Sequence, residues 1–300
     1  MRSAPSWKEL PKYPVIVGIS ILAIGTTVAW WSKVDISPLF ETAMIRRGQF
    51  WRLVANILPH TDILHLAFNI YWFWVFGTLV EEVFGHLKTA ILIFLLALGS
   101  GAMEFALADG GVGLSGVGYG LFGLLWFLPS RDDRFHGAVD QRTVRLFVGW
   151  FLLCIATTIL RIFPVANIAH AAGAVLGLLI GAVIVVPQRR LAAVSAIAVI
   201  IGFGFWGSTL GRPRINLSPR SGYEEGKWGY DALLADRNNE AVRWFRDATT
   251  YRPKLPLYWF DLGIAYQRLG NTKSALIAYQ RAQELEPSNA KYSEAVKAVK

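Results

Sequence analysis

Four side chains in this sequence have the types and the spacing to carry out acyl transfer. Ser115 stands in "GVGLSGVGYGLFGLL", residues 111–125, and His170 in "VANIAHAAGAVLGLLIG", residues 165–181. His65 and Asn69 share "ILHLAFNIYWFW", residues 63–74. A serine hydroxyl attacks a carbonyl only when a base removes its proton, and imidazole is the usual base. A second imidazole and a carboxamide can donate hydrogen bonds to the oxyanion that then forms. His65 and Asn69 are four apart, so on a helix they share one face. Tyr119 lies four residues after Ser115, placed to stack on the His170 ring. Each residue alone has a plainer reading as a helix-packing or core group; together they describe a nucleophile, a base and an oxyanion site. The serine does not fit the G-x-S-x-G elbow, because position 117 is valine.

The elements that must position these groups are apolar throughout. The chain has 300 residues, of which 54% are hydrophobic and 17% charged, with a mean hydropathy of +0.39. Soluble domains carry about 25% charged residues. The deficit predicts a membrane protein. The net charge of +9 is spread over many loops rather than gathered in a patch, which argues against a nucleic-acid partner. Cys154, the single cysteine, sits in an apolar run and reads as a small buried hydrophobe. No metal or cofactor is expected.

Seven hydrophobic stretches, at 13–32, 63–80, 89–103, 110–130, 146–160, 162–188 and 191–211, predict seven membrane-spanning helices. Lys and Arg in the connections set the orientation. One side holds Arg2, Lys8, Lys12, Lys88, Arg131, Arg134, Arg142, Arg145, Arg189 and Arg190; the other holds Lys33, Arg46, Arg47, Arg52 and Arg161. The expectation is a cytoplasmic N-terminus and a C-terminal region outside. Spans two, four and six then run inward, and His65, Ser115 and His170 all fall within roughly the first few turns of their spans, at similar depth near the outer face. No Asp or Glu is expected in an outer-half position to serve His170. Gly173, Gly177 and Gly181 on the sixth span, with Gly116 and Gly120 on the fourth, form small-xxx-small faces that allow close approach.

At this point the chain resembles the rhomboid family of intramembrane serine proteases. "GLSG" with Tyr119 resembles that family's serine motif, "AHAAGAVLG" its sixth-helix histidine and glycines, and "HLAFN" its H-x-x-x-N motif. "FWRLVANILPH", residues 50–60, resembles its Trp-Arg loop, with Trp51 and Arg52; Glu81 in "VEEVFG" matches an acidic residue at the inner end of helix two. The resemblance covers about residues 10–188. It implies an all-α polytopic bundle, a six-helix core plus a seventh span. It implies a Ser115–His170 dyad without a third acid, with His65, Asn69 and the Ser115 N–H as oxyanion donors. Gly113, Tyr119, Gly173, Trp51, Arg52 and Glu81 would support them. The implied substrates are single-span membrane proteins cut near the outer face; a compact chain with no organellar targeting peptide leads to the expectation of a bacterial inner membrane. A non-catalytic membrane-protein binder on the same scaffold is the alternative reading.

After residue 211 the composition turns polar. Residues 212–221 read as a linker, and 222–300 as a small helical domain. Trp259, Leu262, Gly263, Tyr266, Ala275, Tyr279, Ala282 and Pro287 fit the 34-residue tetratricopeptide pattern. Ala241, Phe245, Ala248 and Pro253 repeat its second half, with Trp228 and Gly229 at degenerate Leu and Gly places, and 290–300 is expected to cap the stack. Such arrays bind protein or peptide segments, so a partner of that class is expected.

Overall fold

The computed structural model describes residues 5–130 and 132–300. Arg2 and Arg131, both counted in the charge tally above, lie outside them. The chain divides into two compact units, Met1–Arg212 and Pro213–Lys300.

The first unit contains seven long helices: α1 (Pro14–Trp31), α2 (Ile63–Phe84), α3 (His86–Leu107), α4 (Ser115–Phe127), α5 (Gln141–Ile159), α6 (Asn167–Val185) and α7 (Arg190–Ser208). Six of them are long and apolar enough to cross a membrane. Their starts follow from local chemistry. Pro14 opens α1, where a missing N–H costs nothing. Asp62 caps α2 by accepting from His65 N–H, and Asp140 caps α5 by accepting from Thr143 N–H. Gly85, at φ 78°, lets α2 turn directly into α3.

The exception is α4. The apolar run at 110–130 predicts a full span, but the helix begins only at Ser115 and has 13 residues. At 1.5 Å per residue that is about 20 Å, against a hydrocarbon core of about 30 Å. Residues 110–114 are instead a loop, in which Gly110 (φ 90°) and Gly113 (φ 105°) take left-handed conformations. Every residue from Gly116 to Leu125 is buried, so α4 is a central post surrounded by the other helices. On α1, α5 and α7 few residues are buried, which leaves their apolar faces for lipid.

The tightest packing is between α4 and α6. A Cβ at Gly173 would run into the Gly116 carbonyl, and one at Gly177 into the Gly120 carbonyl. Backbone meets backbone here, which only glycine permits. The remaining core is aromatic and aliphatic, with Phe73, Phe76, Leu96, Leu121 and Leu125 almost fully enclosed.

The second unit is a stack of five helices: α8 (Tyr223–Leu234), α9 (Asn238–Tyr251), α10 (Pro256–Arg268), α11 (Thr272–Leu285) and α12 (Ala290–Ala298). Gly229 on α8 faces the Phe245 ring on α9; its Cβ would lie 2.9 Å from that ring. Gly263 meets Tyr279 in the same way, 34 residues on in both helices. The two helix pairs therefore repeat one packing solution. Trp228, at the degenerate Leu place, packs edge-on against Trp244 at 4.8 Å. On α12, Tyr292 and Val296 cover Phe260 and Tyr279 and close the stack.

Candidate active site

The alternating path of the helices brings the starts of α2, α4 and α6 and the end of α3 to one side of the bundle. Ser115 is the first residue of α4, so its N–H has no acceptor within the helix. His170 lies in the first turn of α6 and is 3% exposed. Its Nε2 is 2.8 Å from Ser115 Oγ, a hydrogen-bonding distance across the α4–α6 glycine seam. Its other nitrogen, Nδ1, is buried and has no protein partner. The Tyr119 ring stacks on the imidazole at 4.5 Å with an interplanar angle of 24°. Tyr119 is itself held by its hydroxyl, which donates to the Phe147 carbonyl at 3.1 Å. The serine, the imidazole and the stacking tyrosine are thus brought together.

His65 approaches from α2. A Cβ on Gly113 would lie 2.8 Å from His65 Cε1 and 2.9 Å from Nε2, so the ring lies against the glycine two residues before Ser115. Thr61 Oγ1 is 3.2 Å from His65 Nδ1, which leaves Nε2 toward the loop. The His60 ring stands edge-on to it at 4.9 Å. Asn69, one turn deeper, is buried, and its Nδ2 makes no protein hydrogen bond.

The other expected supporting residues brace the fold elsewhere. Arg52 Nη1 donates to the carbonyls of Ser37 (2.6 Å) and Phe40 (2.8 Å), and its Nε to Gln49. Trp51 is exposed and donates to the Pro38 carbonyl. These bonds fold the α1–α2 connection. Glu81 accepts from Val15 N–H and Ile16 N–H, each at 3.0 Å, and is 2.7 Å from His86 Nδ1. It caps α1 at the far end of the bundle.

Two features escape the sequence reading. Glu104, near the end of α3, brings a carboxyl group to this end of the spans without serving His170, so the expectation that no acid serves the imidazole is not overturned. Glu104 is 4% exposed, and its Oε2 accepts from Ala169 N–H at 2.9 Å. It satisfies the orphan donor of the residue before His170 rather than the imidazole. The second feature is a cavity of about 20 Å³ beside Ser115, lined among others by Asn56, Ser100, Glu104, Gly113 and Ala166. That is room for a water molecule. Neither could be read from hydropathy, because α3 scores as a span with or without one acidic residue.

Comparison with known proteins gives a match to the Rhomboid domain over residues 47–187. That match covers just under half of the chain, so it is a likeness to the rhomboid family over this region. Two curated relatives are both named rhomboid protease GlpG. The one from Salmonella paratyphi A is 31% identical over 180 residues, 59% of this chain and 62% of that protein. The one from Yersinia pseudotuberculosis is 35% identical over 172 residues, 55% of this chain and 61% of that protein. The chain thus spans less than two thirds of the length of these relatives. The matched region includes Ser115, His170, His65 and Asn69, and starts after α1, so the expected resemblance from residue 10 is wider than the match. With its apolar helices it makes the chain an integral membrane protein. A tetratricopeptide repeat matches residues 256–289; the degenerate helix pair before it is outside that match.

Proposed function

We propose that this protein is an intramembrane serine endopeptidase that cleaves membrane-protein substrates through a Ser115–His170 dyad. The observation that carries the reading is the 2.8 Å approach of His170 Nε2 to Ser115 Oγ. In the first half-reaction Nε2 accepts the hydroxyl proton as Oγ attacks the scissile carbonyl. The imidazolium then returns the proton to the leaving amine, and an acyl-enzyme remains on Ser115. The oxyanion lies at the start of α4, where the Ser115 N–H and the positive end of the helix dipole both favour negative charge. Asn69 Nδ2 supplies one side-chain donor from α2, and His65 Nε2 supplies another in the tautomer that carries its proton on Nε2, with the Thr61 hydroxyl turned to donate to Nδ1. The cavity beside Ser115 admits the water for deacylation, which the same base activates.

The proposed substrates are single-span proteins cut near the outer face of a bacterial inner membrane, with the N-terminus of the enzyme cytoplasmic and residues 213–300 outside. The Lys/Arg bias supports this orientation, and α4, too short to span, sets Ser115 recessed below the outer surface rather than at it.

The test is labelling of the purified full-length protein by a fluorophosphonate, with cleavage of a single-span reporter alongside. Wild type should label at Ser115 and cut; Ser115→Ala should do neither while remaining folded. An intact protein that binds membrane proteins but neither labels nor cuts would favour the non-catalytic binder instead.

A further inference from the structure

The segment that delivers Ser115 is the loop 108–114, and three of its N–H groups are taken by the α1–α2 connection. Gly111 N–H donates to Glu41 Oε2 at 2.9 Å, Gly113 N–H to the Asn56 carbonyl at 2.9 Å, and Leu114 N–H to His60 Nε2 at 3.2 Å. Asn56 Nδ2 lies 3.4 Å from the Gly111 carbonyl. Glu41 is the one carboxyl group in this set, and it is 7% exposed. The chain clears space around it with glycine. A Cβ on Gly110 would stand 2.8 Å from Glu41 Oε2, and one on Gly101 of α3 would stand 3.0 Å from Oε1. On its other side Gly111 is pressed against the start of α6, where a Cβ would lie 2.6 Å from Ala166 Cβ. Ala166 is the residue whose carbonyl accepts from His170 N–H. Glu41 therefore holds Gly111 between itself and the helix end that carries the base, four residues before the nucleophile.

We propose that Glu41 is a positioning residue for the Ser115–His170 pair: its Oε2 fixes Gly111, and through the short loop it sets where α4 begins relative to α6. The proposal rests on the protease reading above. The role asks for an acceptor oxygen at a fixed place rather than for a charge. Burial and the nearby Glu104 push this carboxyl well above the ordinary carboxylate range, against the pull of the Gly111 N–H, Asn56 and Arg212. A neutral glutamine, which keeps the oxygen, should serve in its place.

The experiment uses the full chain in proteoliposomes and measures three things: the fluorophosphonate labelling rate of Ser115, kcat and KM on a single-span reporter, and thermal unfolding. Glu41→Ala should lower kcat and the labelling rate together, by tenfold or more, with KM changed less than about twofold. Glu41→Gln should keep at least half of both rates. Should Glu41→Ala not fold, Glu41→Asp withdraws the oxygen by one methylene and should show the same paired loss in a folded protein. A folded Ala or Asp variant that labels and cuts at the wild-type rate would overturn the proposal. So would a Gln variant as impaired as Ala, or a loss confined to KM. Wild type that fails to label at Ser115 would instead sink the protease reading itself, so the two failures are distinguishable.

Discussion

At Ser115 the proposed nucleophile is also the first residue of a buried helix, and this explains the density of glycine around it. The loop must turn sharply at Gly110 and Gly113, and α6 must come close enough for a 2.8 Å hydrogen bond. The His170 ring, the proposed base, stacks on Tyr119, whose hydroxyl is tied to α5 through the Phe147 carbonyl. The proposed roles rank the residues. His170→Ala should remove nearly all turnover, because no other base lies in the pair. Asn69→Ala should slow kcat by roughly ten- to a thousand-fold, the cost of one oxyanion donor, since His65 and the Ser115 N–H remain. Steady-state cleavage of a reporter by both variants checks the order; an Asn69 variant more impaired than the His170 variant would reverse the assignment.

Among the elements, the α4–α6 pair sets the geometry, and its precision comes from removing side chains. Gly173 and Gly177 put α6 backbone directly on the Gly116 and Gly120 carbonyls. A methyl group there meets peptide atoms, which no rotamer change can relieve. Gly177→Ala should therefore cost about 1–3 kcal/mol or more by overpacking, and should impair catalysis by pushing α6 from α4. Gly149→Ala on α5 is the control: it is an exposed helix position with nothing within 4 Å of the new Cβ, and no loss is expected. Unfolding in mixed micelles, followed by gel shift or fluorescence, would separate the two. Equal stability of both variants would mean that the glycine seam is not under the constraint described.

For the molecule as a whole, the question is what the repeat unit does for the membrane unit. The proposed orientation counts the short α4 as a crossing beside the six longer helices and, with the Lys/Arg bias, puts the C-terminal unit outside the cytoplasm. Under the proposed topology, a protein-binding module on a short flexible tether would raise the local concentration of any substrate it holds to about millimolar. Deleting residues 222–300 should therefore spare cleavage of a short reporter and weaken cleavage of a natural substrate, as read by comparing membrane proteomes. Digestion of the tail by protease added to intact spheroplasts checks the topology. A tail protected until lysis would place it in the cytoplasm and remove the recruitment role, while leaving the dyad untouched.

The sequence by itself determined the helical elements, the tetratricopeptide repeat and the candidate reacting residues, because those signals are local. Apolar run length sets the spans. Small residues at four-residue spacing mark the α4–α6 seam, and the 34-residue pattern of Gly263 and Tyr279 marks the repeat. The polar types at Ser115, His170, His65 and Asn69 stand out against apolar surroundings. What only the tertiary structure decided is where each polar group finds its partner. Hydropathy runs unbroken through 110–130, so it does not separate the loop at 110–114 from the helix at 115–127. Glu41 is bonded to a glycine 70 residues away, and Glu104 to a backbone N–H 65 residues away. A buried carboxyl group is tolerable only when distant backbone donors converge on it. That convergence is a property of the packed bundle and not of any stretch of chain.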